Sequence, residues 1–308
     1  MKTPLLLISL ILILSCGVDK RTQTEQLIAG FEEEYIADHR ETVFDVRPTF
    51  EKGKVVLKGE ISEPDLKEAL IRELQTVGVR DEITLLPDSS VGQNSFALVT
   101  LPLANMRAAP RHSSELVTQA LLGTPVRLLQ KEKGWYRIQT PDNYISWVDA
   151  PGVVPLTDQE LKEWQNSDRS VYTGDIGTIY ETRYLREPVS PVGMGTILQV
   201  TEQTPNVLTV LFPDGRRGHT LRRDWTVFST FAEEALPDST SLVQLARQLT
   251  GRPYLWGGTS AFAMDCSGFT KTVYFMHGVI LARDASLQAK QGQSIDTSVS
   301  KNNIRPGD

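Results

Sequence analysis

The sequence predicts an α+β chain of several domains, and three observations carry that expectation. Apolar residues recur at helical spacing in residues 25–40 and 64–77, with short apolar strands between and after them. From about residue 91 the pattern turns to short strands, punctuated by regularly placed Gly, Pro, Asn and Asp. After residue 233 helical spacing returns, and a cysteine stands where a helix begins. The 308 residues, 40% of them hydrophobic, are enough for more than one core. The net charge of -6 and the lack of a long basic run give no footprint for nucleic acid.

The first element is a leader. Lys2 is followed by an apolar run, Leu5 to Leu14, interrupted by Ser9, too short to span a bilayer and suited to a signal-peptide core. Ile13-Leu14-Ser15-Cys16 resembles the bacterial lipoprotein box. That resemblance implies cleavage before Cys16 and a lipid on its thiol, hence export and anchoring to the bacterial cell envelope. The competing reading is an ordinary secretory signal. With residues 1–16 as leader and Cys16 acylated, Cys266 is the second of two cysteines and has no internal disulfide partner.

Residues 17–90 read as a small α/β unit. Leu27, Ile28, Phe31, Tyr35 and Ile36 make one helix face. "ETVFDVRPTF" and "KVVLKGEI" read as strands. A second helix follows, with Pro64 in its first turn and Gly78 as its stop, and then "RDEITLLPD" as a strand. No chemical motif stands out, and a packing or spacer module is the default reading.

Residues 91–157 and 158–232 read as two all-β domains. In the first, Asn105-x-Arg107-x-x-Pro110, the Gly123 turn, Gly134-Trp135-Tyr136 and Tyr144-x-x-Trp147-Val148 resemble a bacterial SH3-like barrel. The second carries a clear Asp214-Gly215 hairpin turn and matches that pattern more loosely.

Residues 233–308 hold the chemistry. Leu242, Leu245, Ala246 and Leu249 give a helix face that Gly251 ends. Asp265 is a suitable N-cap, which puts Cys266 in the first turn of the next helix, at the end of the dipole that stabilises an anion. Phe269, Val273 and Met276 form that helix's apolar stripe, and Gly278 stops it. Gly257-Gly258 allows close backbone approach. Taken alone, a single Cys is more often a buried, inert thiol. Tyr254-x-Trp256-Gly257-Gly258, Asp265-Cys266-Ser267-Gly268-Phe269, Arg283-Asp284-Ala285-Ser286 and Pro306-Gly307-Asp308 together resemble the NlpC family of papain-like cell-wall peptidases. Within it they are most similar to the γ-D-glutamyl-L-diamino acid endopeptidases. With the two β domains, the resemblance covers residues 91–308.

The resemblance implies a fold and an activity. The chain is expected to hold a small α/β unit, two SH3-like β-barrels and the N-terminal part of a papain-like NlpC domain. Cys266 is the implied nucleophile, cleaving between γ-D-Glu and the diamino acid of peptidoglycan stem peptides (L-Ala-γ-D-Glu-diamino acid) whose L-Ala amine is free. Asp284 and Glu115 are implied to meet that ammonium, and Tyr144 to shape its pocket. Tyr254, Trp256, Asp265 and Ser267 are implied to line the site, with Ser286 adding a hydroxyl. Read without the family, Glu115 is a solvated charge, and Tyr144 and Trp147 are barrel core. No cofactor and no metal are expected, since no His or Cys cluster has ligand spacing. No nucleophile-elbow pattern points to a serine hydrolase. A monomer is expected.

A thiol nucleophile needs a base, and the four histidines do not offer one. His277 follows Cys266 by eleven residues, about 16 Å of helical rise, far beyond the ~3 Å of direct proton transfer. His39, His112 and His219 fall in other domains. In the resembled family the base follows the Pro-Gly-Asp turn, where this sequence stops. The expectation is therefore a longer coding sequence, with the 308 residues poised but largely idle, and with Phe269, Val273 and Met276 short of packing partners. Two rivals stand beside it: a cell-wall-binding lipoprotein without catalysis, and a tethered module whose last domain has decayed. Reading the DNA past codon 308 tests the expectation. A continuing frame that encodes a His-containing β segment supports it, and an immediate stop with no such frame downstream overturns it.

Overall fold

Helix α1 (Lys20–Tyr35) buries Ile28 and Phe31, one turn apart, and Phe31 stacks on both Tyr35 and Phe44. These residues belong to the first of two compact units in the computed structural model, which describes residues 20–234, 238–294 and 304–305. The leader with Cys16 and the Pro306-Gly307-Asp308 turn lie outside the described residues.

The first unit joins α1 to a three-stranded sheet and one further helix, α2 (Pro64–Glu73). Strands Phe44–Glu51 and Lys54–Ile61 pair antiparallel, and Arg80–Leu85 adds parallel to the second of them through α2. Pro64 sits in the first turn of α2, where its missing N–H costs no hydrogen bond. A single 3-10 turn, Leu74–Thr76, tightens the end, and Gly78 at φ +71 completes the stop. Leu57, Ile61, Leu70, Leu74 and Ile83 fill the core between sheet and helices.

The second unit takes residues 40–42 and everything from Leu86. The change of unit falls at Leu86, and residues 86–90 are tied to the next sheet: the Asp88 amide donates to the Leu129 carbonyl at 3.0 Å and Ser90 Oγ accepts from the Lys131 amide at 2.7 Å. Seven antiparallel strands form its first sheet, in the order Val153–Leu156, Phe96–Val99, Pro125–Glu132, Trp135–Gln139, Ile145–Asp149, Leu103–Arg107, Leu116–Leu121. The SH3-like segment occupies this sheet. Helix α3 (Asp158–Gln165) leads out of it, capped by a Thr157–Glu160 capping box. A second seven-stranded antiparallel sheet follows, with Pro188–Gly193 and Trp225–Val227 at its two ends. Helix α4 (Phe228–Glu234) closes that segment.

The two sheets meet at a turn that only glycine fits. Gly123 has φ +80, and a Cβ there would stand 1.7 Å from the Ile197 carbonyl oxygen. Leu122, fully buried, leaves its own sheet to pack in the second core beside Tyr172 and Trp225, and its carbonyl accepts from the Ile197 amide at 3.2 Å. Sequence punctuation marked Gly123 as a turn; the contact it permits is tertiary.

The last segment holds α5 (Ser239–Gln248), α6 (Cys266–Phe275) and α7 (Ala285–Gln288), with a two-stranded ribbon at Thr259–Ser260 and Ala263–Met264. The α6 stripe is not short of partners, contrary to the expectation. Val273 is buried with Leu242 and Leu249 of the α5 region, Met264 of the ribbon and Met194 in the turn after the strand Pro188–Gly193, and Phe269 and Met276 pack against the same group. The cover comes from α5 and Met194, which no local pattern in the sequence connects to this stripe.

Replacing Gly123 with Ala is expected to destabilise the second unit by about 2 kcal/mol or more, through a strained φ and a backbone clash. Urea unfolding of the chain checks this. An unchanged midpoint would mean that the two sheets do not rely on the turn.

Candidate active site

Cys266 occupies the first position of α6 and is exposed to solvent. Its placement begins with Asp265, whose side chain accepts from the Gly268 amide at 2.8 Å and so caps the helix. The same carboxylate accepts from the Gly257 amide at 2.9 Å, which ties the Trp256-Gly257-Gly258 turn to the helix start. Arg283 closes the arrangement. Its Nη2 lies 2.6 Å from Asp265 Oδ2 and its Nη1 3.2 Å from Oδ1, a bidentate pair. Nη1 also donates to Ser267 Oγ at 2.8 Å, and that hydroxyl bonds to Asp265 at 3.3 Å.

These groups face inward. Arg283 is 1% exposed, and Asp265 and Ser267 are each 6% exposed. Both were expected to line the site. The structure instead uses Asp265 and Ser267 to hold the first turn of α6 against the chain at 283, because their polar atoms are engaged by Arg283 and by backbone amides. Arg283 itself went unassigned in the sequence reading. Its only signal was its place at the head of Arg283-Asp284-Ala285-Ser286. Burial by itself would raise the Asp265 carboxyl, but the Arg283 bond and the Gly268 and Gly257 amides outweigh it and hold it below its ordinary 3.8.

A second group stands on the open side. Trp256 and Tyr254 are 62% and 66% exposed, an unusual placement for aromatic rings, and Trp256 Nε1 donates to Glu115 Oε1 at 2.8 Å. Glu115 comes from the first sheet's segment, so this bond joins that segment to the Trp256 turn. The junction is tight. Gly257, at φ +82, sits where a Cβ would meet the Leu116 carbonyl oxygen at 2.4 Å. The Thr259 hydroxyl donates to the Gln119 carbonyl at 2.8 Å, and Lys271 of α6 pairs with buried Asp142.

Asp284 and Tyr144 form a third group. Tyr144 is buried, but it precedes the strand Ile145–Asp149, stands outside the apolar cluster that fills the first sheet's core, and lies beside Asp284. Burial pushes its phenol up to about 12, and the Asp284 carboxylate adds to the effect. Asp284 Oδ2 accepts from Arg40 Nη1 at 2.7 Å, and Arg40 Nη2 donates to the exposed Ser286 Oγ at 3.2 Å. Nothing in the sequence near Arg40 announces this contact, which spans 244 residues.

The four histidines all stand elsewhere. His277 follows the end of α6, its Nδ1 2.8 Å from the Val273 carbonyl oxygen. His39 pairs with Glu32, His112 lies near Asp149 and against Trp135, and His219 Nδ1 meets Thr209. Among the described residues no three His, Cys, Asp or Glu side chains are grouped to hold a metal, and no helix is long and apolar enough to cross a membrane.

Similarity to known proteins follows this geometry. Residues 106–151 match the bacterial dipeptidyl-peptidase Sh3 domain, and residues 251–308 match the NlpC/P60 family. A γ-D-glutamyl-L-lysine dipeptidyl-peptidase of Bacillus cereus is 29% identical over 206 residues, which are 64% of this chain and 60% of the relative. The chain therefore spans less than two thirds of that relative's length. Dipeptidyl-peptidase 6 of Lysinibacillus sphaericus is 29% identical over 202 residues, 62% of this chain and 73% of the relative. The crystal structure of an NlpC/P60 family protein from Bacillus cereus superposes with a TM-score of 0.59 at 24% identity, over 69% of this chain and 81% of that one. That likeness concerns the fold.

Because its folded pKa is depressed, Asp265 contributes stability that is full above its ordinary 3.8 and lost as pH falls through the folded value. Asp265→Asn keeps a capping side chain but leaves buried Arg283 unpaired, an expected cost of about 3–5 kcal/mol at neutral pH. In urea unfolding the gap between the two proteins should narrow as pH falls below the ordinary 3.8 of a carboxyl and through the depressed folded value. A gap that stays constant with pH would remove the ion pair as its cause.

Proposed function

Because residues 251–308 match the NlpC/P60 family and hold an exposed thiol at a capped helix N-terminus, we propose that the protein is a cysteine-type peptidase of peptidoglycan. The bond it takes is that between γ-D-Glu and the diamino acid of stem peptides with a free N-terminal L-Ala. The observation that carries this reading is the exposed thiol of Cys266 at the capped start of α6, with the exposed Trp256 bonded to Glu115 and Asp284 beside Tyr144 as its support. The names of the relatives from Bacillus cereus and Lysinibacillus sphaericus support the same chemistry.

In this reading the Cys266 sulfur attacks the γ-carbonyl carbon of D-Glu. The C–N bond to the diamino acid breaks, its amine leaves with a proton, and the thioester is then hydrolysed by water. The α6 N-terminus offers its positive end to the thiolate. Asp284 and Glu115 take the L-Ala ammonium, and Tyr254 and Trp256 flank the peptide. A base must receive the thiol proton, and the four histidines are engaged elsewhere. The proposal therefore includes little or no turnover by these 308 residues alone. It also includes export and a lipid on Cys16.

The placement of the histidines equally favours a second reading, in which the chain binds cell wall without cutting it. Binding to purified wall with no dipeptide released, even when a His-containing sheet is supplied by a longer chain, would select that reading.

Iodoacetamide is expected to label Cys266 in the 308-residue protein, mapped by mass spectrometry, while stem peptides stay intact. Protection of Cys266 from the reagent would count against an accessible nucleophile. In a catalytically complete chain, Asp284→Ala should cost at least about tenfold more kcat/KM on free-amine stems than on N-blocked ones. Equal losses on both would remove Asp284 from amine recognition.

A further inference from the structure

We infer that Arg40 tunes the site's choice at the substrate N-terminus, by occupying the carboxylate that would otherwise draw a free amine. The inference rests on the proposed role of Asp284 and goes beyond it. Arg40 Nη1 donates to Asp284 Oδ2 at 2.7 Å and Nη2 to Ser286 Oγ at 3.2 Å, so one guanidinium spans both polar side chains of the Asp284-Ala285-Ser286 turn. The backbone that delivers it is pinned. The Ile145 amide donates to the Arg40 carbonyl at 2.7 Å, and Gln139 Nε2 donates to the Glu41 carbonyl at 3.1 Å. Residues 40–42 are accordingly part of the second unit, set beside the strands Trp135–Gln139 and Ile145–Asp149, between which Tyr144 lies.

Two ion pairs in this segment differ in kind. Arg283 with Asp265 is sealed, at 1% and 6% side-chain exposure, and holds structure. Arg40 with Asp284 is reachable from solvent, at 36% and 28%. An arriving ammonium either shares Asp284 with a guanidinium, at the cost of a like charge alongside, or displaces it. A peptide with an acylated N-terminus brings no positive charge and meets neither cost. Arg40 thus opposes free-amine peptides selectively, while its charge counterbalances Asp284 when no peptide is bound.

Binding does not need a base, so the 308-residue protein suffices for the test. Calorimetry would measure L-Ala-γ-D-Glu and its N-acetyl form against the wild type, Arg40→Gln, Arg40→Lys and Asp284→Asn. Arg40→Gln is expected to bind the free-amine dipeptide about tenfold more tightly, with the acetylated form within about twofold of wild type. Arg40→Lys, which keeps the charge, should resemble wild type, and Asp284→Asn should lose affinity for the free amine. An Arg40→Gln protein that gains nothing, or gains equally for both peptides, overturns the inference, as does an Arg40→Lys protein that gains as much as Arg40→Gln. If Asp284→Asn still loses the free amine in those cases, the proposed substrate reading stands without it. No binding of either peptide by any of the four proteins overturns both.

Discussion

The bidentate contact between Arg283 and Asp265 is the joint on which the last segment depends. One carboxylate caps α6, receives the Gly257 amide and neutralises a buried guanidinium. A buried pair of this kind gains little over apolar packing of the same volume, yet leaving one partner alone is expensive. What it secures is geometry. The first turn of α6, the turn at Trp256–Gly258 and the start of α7 are fixed to a single point, so the Cys266 thiol and the two exposed aromatic rings keep one relation to each other. Gln288 adds to the same point, donating to the carbonyls of Ser267 and Ala282.

Around that joint the polar contacts draw on several segments. Glu115, Tyr144 and Asp142 come from the first sheet's domain; Trp256, Cys266, Lys271 and Asp284 come from the last segment; Arg40 arrives from the short stretch that precedes the first strand of the other unit. Charge is arranged by depth. The innermost pair is closed to water, the Lys271–Asp142 pair is nearly so, and the Arg40–Asp284 pair is open. A sealed contact and a solvent-reachable one thereby stand side by side at residues 283 and 284, whose side chains point to different partners.

Local features were legible in the sequence because they are set within a few residues. The Asp265 cap, the helix that begins at Cys266, the Pro64 start of α2 and the turns at Gly78 and Gly123 all follow from side-chain chemistry and φ preference. The strands of the two β domains were legible from their turn spacing. What escaped depends on contacts between distant residues. Asp265 and Ser267 read as site-lining because their motif adjoins Cys266, but only the fold shows that Arg283 consumes their hydrogen-bonding capacity. Arg40 sits in a polar stretch with no motif, and its meeting with Asp284 has no local trace. The apolar stripe of α6 was legible, whereas its cover by Leu242, Leu249 and Met194 needed the packing of three segments.

The close approach of Gly257 to the Leu116 carbonyl has a consequence for how such chains can be rearranged. Domains joined by linkers can be shuffled, since each carries its own surface. Here the turn that supports the exposed aromatic rings has no room for a side chain, because a neighbouring domain's backbone fills it, and the partner of Trp256 is the residue beside that backbone. The last segment is half of a fitted joint. Grafted onto a foreign barrel, it would carry a socket without its matching part, so the barrel and the thiol-bearing segment are inherited usefully only as a pair.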